Sequence, residues 1–269
     1  LKTTGFVAEP GTFAFVPGTA SDPARVVFAS SPRDGVWTFA GLPRSLPEGI
    51  YRIDASFDRD AATATALGWS LGSYVYSRHK KPKRACATLV WPDEADRAEV
   101  ERLTRGVFLA RDLINTPAEE MGPDELAHAA RDVARAAGAE CAIIRGDDLL
   151  RANYPTIHAV GRASSRPPCL IDIRWGDPGA PKVTLVGKGV CFDTGGLDLK
   201  PAAAMLQMKK DMGGGAVVLG LASALMAAGA PIRLRVLIPA VENSVSANAI
   251  RPRDIIRTRI GKTVEIGIT

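Results

Sequence analysis

Lys188, Asp193, Lys200 and Asp211 stand close together among glycines and apolar residues, in the stretch VGKGVCFDTGGLDLKPAAAMLQMKKDMGG over residues 186–214. Aspartates are hard oxygen donors for a divalent cation, and one carboxylate can bridge two ions. Lysine is an unusual ligand because only its neutral amine has a lone pair; a partly buried amine beside a cation has its pKa driven down far enough to supply one. Each residue also has an ordinary structural explanation. An aspartate before Gly-Gly forms turns, Asp211 is placed to cap a helix starting near Gly214, and Lys188 reads equally as a surface lysine. Glycine lowers stability, however, and a purely structural segment has little reason to set carboxylates among glycines and apolar neighbours. The four residues taken together favour a site.

The elements that must position them follow from periodicity. The apolar run Val183-Thr-Leu-Val186 is a strand entering Gly187-Lys188-Gly189, which presents the amine at a strand end between residues with no Cβ to crowd it. From Asp93 the pattern turns helical. Residues 95–114 place Val100, Leu103, Val107, Phe108 and Leu113 on one side, and Asn115-Thr116-Pro117 ends that helix. Pro123 opens a second helix to Ala137, with Gly138 as its stop. Residues 140–144 predict a strand, 147–152 a short helix, 169–174 a strand, 216–228 a helix and 232–238 a strand. This alternation predicts an α/β fold with a largely parallel sheet, whose sites lie at strand carboxyl ends. Lys188 and Asp193 fall at such an end.

Residues 1–91 are different. Short apolar runs at 12–16, 25–29, 36–39 and 49–53, broken by Pro and Gly, predict strands with close connections. An alanine-rich helix over 61–76 packs on them, and no catalytic constellation is visible. The basic run His79-Lys-Lys-Pro-Lys-Arg84 lacks the basic amphipathic helix or aromatic platform of a nucleic-acid site, so it reads as a solvated loop near a domain boundary. A net charge of +5 from 34 basic and 29 acidic residues mixed along the chain indicates solubility rather than a polyanionic partner. No run of about 18 apolar residues is present, so no membrane span is expected. The start Leu1-Lys2-Thr3-Thr4 is no signal peptide, and without an initiator Met the chain is expected to begin inside a longer protein. Cys86, Cys141, Cys169 and Cys191 form no CxxC pair and read as reduced thiols of a cytoplasmic protein.

Phosphate motifs fail. The third glycine of a dinucleotide fingerprint begun at Gly187 would fall on Phe192, and Gly187-Lys188 is followed by Gly where a P-loop needs Ser or Thr. The residues instead resemble another pattern. Residues 187–196 (GKGVCFDTGG), Lys200-Pro201, residues 208–214 (MKKDMGG) and Pro239-Ala-Val-Glu-Asn243 closely resemble the leucyl (cytosol) aminopeptidase family of two-metal exopeptidases. The resemblance runs from about Val100 through residues 111–117 (RDLINTP) to the end and is weak over the first 90 residues. It implies an N-terminal α/β domain over 1–92 and, over 93–269, the first part of an α/β/α catalytic domain. Position by position, it implies that Lys188, Asp193 and Asp211 are ligands of the tighter metal, with Asp193 also touching the second. Lys200 corresponds to the catalytic lysine and Met208 to a wall of the pocket for the substrate's first side chain, although from sequence alone Met208 is equally a core methionine.

What the resemblance implies is hydrolysis of the bond after a free N-terminal, leucine-like residue of a peptide substrate. Two divalent ions (Mn or Zn) would serve as cofactors, one holding the substrate amine and both holding a water that attacks at neutral pH. A homo-hexamer is implied in the same way; the composition sets it in the cytoplasm, with no membrane and no nucleic-acid partner expected. The family's remaining ligands and a second catalytic residue, an arginine, lie in a segment reading NTDAEGRL. Thr269 matches its Thr and Ile268 stands where the family has Asn. Ala247 and Arg253 replace residues that are usually glycine. The leading expectation is therefore a metallo-aminopeptidase of which these residues alone are inactive; the alternatives are a catalytically silent homologue serving as an oligomer subunit, and a nucleic-acid module using the basic loop.

Overall fold

The computed structural model describes residues 6–18, 23–31 and 35–267, so the readings made on Leu1–Thr4, Ile268 and Thr269 lie outside the described residues. The chain forms two compact units, Leu1–Thr104 and Arg105–Thr269. No helix among the described residues is long and apolar enough to cross a membrane.

In the first unit, β1 (Phe13–Pro17) and β2 (Pro23–Phe28) pair antiparallel, with Phe13 opposite Phe28. After them come α1 (Leu42–Ser45), β3 (Ile50–Tyr51), α2 (Arg59–Gly72) and β4 (Thr88–Leu89), the last parallel to β3. Asp58 starts α2 by accepting the Ala61 amide at 2.8 Å. The Trp69 indole donates to the Ala87 carbonyl at 3.0 Å, tying the helix to a small core of Leu42, Leu46, Trp69, Ala87 and Leu89.

One expected strand is absent. Residues 36–39 contribute to a 3-10 turn, Gly35–Trp37, and the turn after it. The cause lies on α2, where a Cβ at Gly68 or Gly72 would run into the carbonyl oxygen of Val36 or Ala40. The backbone of this segment lies directly on the helix and so does not pair in a sheet. Arg84, the last residue of the basic run, donates to the carbonyls of Leu46, at 2.8 Å, and Arg44. It acts as an anchor, not as a free surface charge.

The second unit is entered through α3 (Arg97–Asn115) and continues with α4 (Pro123–Ala136), β5 (Glu140–Arg145), α5 (Asp148–Arg151), α6 (Pro155–Gly161), β6 (Cys169–Trp175), β7 (Lys182–Val186) and β8 (Gly189–Asp193). Next are α7 (Ala202–Met205), a 3-10 segment Met208–Met212, α8 (Gly213–Ala227), β9 (Arg233–Asn243) and the antiparallel pair β10 (Ile255–Arg257) and β11 (Thr263–Glu265). Helices α3, α4 and α8 fall within a residue or three of where periodicity put them. Pro123 opens α4, the Gly122 amide donates to Glu125, and Gly138 follows at φ +64°.

The sheet runs β5-β6-β9-β7, with β8 also on β9. Strands β7 and β8 are parallel to β9, while β6 is antiparallel to both β5 and β9. Four strands therefore run one way and β6 alone is reversed, so the sheet is mixed while remaining largely parallel in strand direction. Central β9 is flanked on both sides. Its Leu234, Val236, Ile238 and Ala240 alternate inward with Ile171 and Ile173 of β6, against Leu126 and Ala130 of α4 and Ala216 and Leu219 of α8. All four cysteines are free, and burial pushes the Cys169 thiol up to about 12.

Candidate metal centre

Strand β7 ends at Val186 opposite Leu237, and β8 begins at Gly189 opposite Ala240, in unchanged register on β9. Lys188 thus sits just past the end of β7, as expected of a strand end, at a break between two strands that follow one edge of β9. The glycines around it serve the backbone. A Cβ on Gly187 would meet the Gly214 carbonyl and Val218, and one on Gly189 would meet Ile238 and the Pro239 carbonyl, both within 2.7 Å. Without them the start of α8 could not come close enough for the Gly215 amide to donate to the Lys188 carbonyl at 2.7 Å.

At the end of β8, Asp193 is 7% exposed and its two oxygens are used differently. Oδ1 accepts the Gly195 amide at 2.9 Å and the Asn243 side-chain amide at 2.8 Å. Oδ2 lies 3.2 Å from Lys200 Nζ. Burial pushes this carboxyl up, but the Gly195 amide, the Asn243 amide and the Lys200 ammonium together outweigh it and hold it below the usual carboxylate range. The turn-forming reading and the cation-binding reading thus fall on different atoms of one residue. Gly195 and Gly196, at φ +88° and +66°, carry the turn, and the Lys200 amide closes it on the Thr194 carbonyl at 2.9 Å.

Asp211 lies in the 3-10 segment Met208–Met212, which packs against β8. It does not cap α8: the capping position is Met212, with no side-chain hydrogen bond. Lys188 Nζ approaches Asp211 Oδ2 to 2.7 Å, but that oxygen is buried and has no aligned hydrogen bond. The contact is an attraction of charges without directed bonding, which suits a position built for a spherical cation. The Lys188 side chain is 58% exposed, as the surface-lysine reading has it and more open than the partly buried amine of the metal reading, whereas that of Lys200 is only 17% exposed. Met208 is half-buried at the start of the same segment.

Two ammonium groups standing against buried Asp193 and partly buried Asp211, the latter with a buried, unbonded oxygen, fit a divalent ion held by Asp193, Asp211 and the Lys188 amine. Among the described residues no three His, Cys, Asp or Glu side chains gather into a metal cage, so the set needs the lysine. Two residues escaped the sequence reading. Asn243, inside the quoted motif but given no role, reaches Asp193; Lys209 donates to the Asn115 carbonyl at 2.6 Å and ties the 3-10 segment to the end of α3.

A model of the cytosol aminopeptidase catalytic domain matches residues 108–269, and one of the M17 aminopeptidase N-terminal domain matches residues 1–92. The chain belongs to the cytosol aminopeptidase family. The family assignment thereby reaches the first 90 residues, where the motifs are weak. Peptidase B of Cronobacter sakazakii is 39% identical over 209 residues, covering 74% of this chain and 49% of that protein. The crystal structure of cytosol aminopeptidase from Coxiella burnetii superposes with a TM-score of 0.92 at 47% identity, covering 98% of this chain and 58% of that one. Bottromycin maturation enzyme BotP in complex with Mn gives 0.82 at 34% identity, covering 98% and 61%. The chain spans about half the length of the curated relatives it matches.

Proposed function

We propose that this chain belongs to a metal-dependent aminopeptidase that releases N-terminal, leucine-like residues from peptides. The observation that carries this reading is the pair of carboxylates at the end of β8 and on the adjoining 3-10 segment, Asp193 buried and Asp211 partly buried, each facing an ammonium, with Asp211 Oδ2 left without a hydrogen bond. Lys188, Asp193 and Asp211 would hold the tighter of two divalent ions, Mn or Zn, and Asp193 would also reach the second. Such ions supply a nucleophile from water at neutral pH and a Lewis acid for the scissile carbonyl. Lys200, paired with Asp193, stabilises the negative charge that grows on the carbonyl oxygen. Met208 forms one wall of the pocket for the first side chain. Residues 1–92 form the family's N-terminal domain and 93–269 the first part of its catalytic domain; the working protein is a cytoplasmic homo-hexamer.

The test is release of leucine from leucine amide and from leucyl peptides by the intact protein, before and after a chelator and again after added Mn²⁺ or Zn²⁺. Activity is expected to vanish with the chelator, return with metal, and be absent on N-acetylated substrate, which lacks the free amine. Chelator-insensitive hydrolysis overturns the metal assignment. A catalytically silent homologue is the second reading. It draws on Arg253, which stands at φ +71° where the family usually has glycine, and it is favoured if metal binds but no substrate is turned over.

A further inference from the structure

We infer that Asn243 is a positioning residue for the candidate centre, fixing which oxygen of Asp193 is presented to a cation; the inference rests on the metal reading proposed above. Asn243 closes β9 directly opposite Asp193, which closes β8, and it is only 4% exposed. Its carbonyl oxygen takes the Thr194 amide at 3.0 Å and the Thr194 hydroxyl at 2.7 Å, so the backbone of the residue is pinned to the turn that follows Asp193. The side chain then points one way. Nδ2 donates to Asp193 Oδ1 at 2.8 Å, while Asn243 Oδ1 is buried without a hydrogen-bond partner beside Gly196.

Turning the amide over would set two acceptor oxygens against each other, so the observed orientation is the one the carboxylate enforces. A carboxylate oxygen has two lone pairs in its plane. The Gly195 amide and the Asn243 amide take both on Asp193 Oδ1. Oδ2 is the oxygen left, and it is the one that faces Lys200. Asp193 therefore meets any cation through Oδ2 alone, and contact with two ions would have to share that single oxygen. Gly196 supports the arrangement, because a Cβ there would come within 3.0 Å of Asn243 Oδ1. Orienting partners of this kind typically contribute about 10–100-fold in metal affinity.

The experiment compares Mn²⁺ binding to the intact wild-type protein with binding to Asn243→Asp, which keeps the shape and replaces the donor by an acceptor, and to Asn243→Leu, which removes both polar atoms. Binding is read by calorimetry and by the electron paramagnetic resonance of the bound ion, with thermal melting of the metal-free proteins alongside. Affinity is expected to fall about tenfold or more in whichever variant melts as the wild type does, with an altered resonance spectrum. Unchanged or tighter binding in a folded variant overturns the inference. Should the wild type take up no Mn²⁺, the metal reading itself fails. The positioning role is then decided by the metal-free crystal structure of the Asn243 variant: a turned Asp193 carboxylate upholds it and an unmoved one refutes it.

Discussion

Lys188 and Lys200 look alike in the sequence, yet their surroundings differ. Lys200 is mostly covered and bound to the free oxygen of Asp193, whereas Lys188 reaches from a more open position to an oxygen that no donor satisfies. Lys200→Ala is expected to leave metal uptake intact and to lower kcat by about 100-fold or more, the scale of losing one stabiliser of developing charge. Lys188→Ala is expected to weaken metal binding. Metal analysis with steady-state kinetics on the two variants decides this, and the opposite pattern reverses the roles. A third charged residue, away from the centre, controls stability instead. Asp172 is buried and accepts from Arg235 at 2.9 Å through both its oxygens, and from Arg174 at 3.0 Å. Burial pushes its pKa up, but the two guanidinium groups prevail and hold it below the ordinary aspartate value of about 3.9. A depressed folded pKa contributes stability above the unfolded value and loses it as pH falls through the folded one. Asp172→Asn is therefore expected to destabilise the protein by about 1–3 kcal/mol at neutral pH and to flatten the loss of stability below pH about 4. Denaturant midpoints measured from pH 7 to pH 2 test this; parallel curves for the two proteins contradict it.

Helices α3 and α8 cross where both carry glycine, and a Cβ at Gly106 would stand 2.7 Å from the Gly220 carbonyl oxygen. Backbone cannot step aside as a side chain can. Gly106→Ala is thus expected to lower the melting temperature, because overpacking of about 1–3 kcal/mol outweighs the roughly 1 kcal/mol that alanine gains in a helix; an unchanged or raised melting temperature would show that the helices part without cost. Glycines of this kind also mark where sequence reading stops. Periodicity located α3, α4 and β9 because each buries one face, and a buried face leaves a regular apolar pattern; α8 is apolar nearly all round and is legible as a long apolar run. Residues 36–39 have the pattern of a strand, but their place is set by Gly68 and Gly72 on a helix some thirty positions away, which no local pattern records. The reversal of β6 is equally silent, since a strand buried on both faces has the same composition in either direction. In the centre, residue type and spacing singled out Lys188, Asp193, Lys200 and Asp211, and the fold draws them into two ion pairs. Asn243 was invisible because its role depends on register between β8 and β9, fifty residues apart. Arg253 shows the converse. The family comparison of residue types marked it as out of place, and the structure finds it at φ +71°, held to Glu265 at 2.6 Å.

On the scale of the whole molecule, the sheet of the second unit ends at β5 on one side and at β7 and β8 on the other. Among the described residues β7 and β8 pair only with β9, so their outer edge offers unpaired amides and carbonyls. Val186 at the end of β7 and Val217 and Leu221 on α8 are exposed. An unpaired strand edge beside exposed apolar side chains is a template for association. The chain meanwhile matches its relatives over only about half their length, and in the proposed centre three residues would hold one ion while a single carboxylate would be shared with a second. One monodentate carboxylate does not hold a divalent ion against water at ordinary concentrations. A polypeptide limited to residues 1–269 is accordingly expected to self-associate, to bind at most one ion per chain and to leave leucine amide intact. One extended to the full length of the relatives should stay in a defined oligomer, take up a second ion and release leucine. Light scattering, ion counting and the leucine amide assay on the two polypeptides read these three properties separately. Replacing Val186 by lysine in the shorter one should reduce association through charge on the open edge, without restoring activity. Brisk hydrolysis of leucine amide by residues 1–269 alone would refute the two-ion reading, because the chemistry would then have to come from side chains outside the Lys188, Asp193, Lys200 and Asp211 cluster.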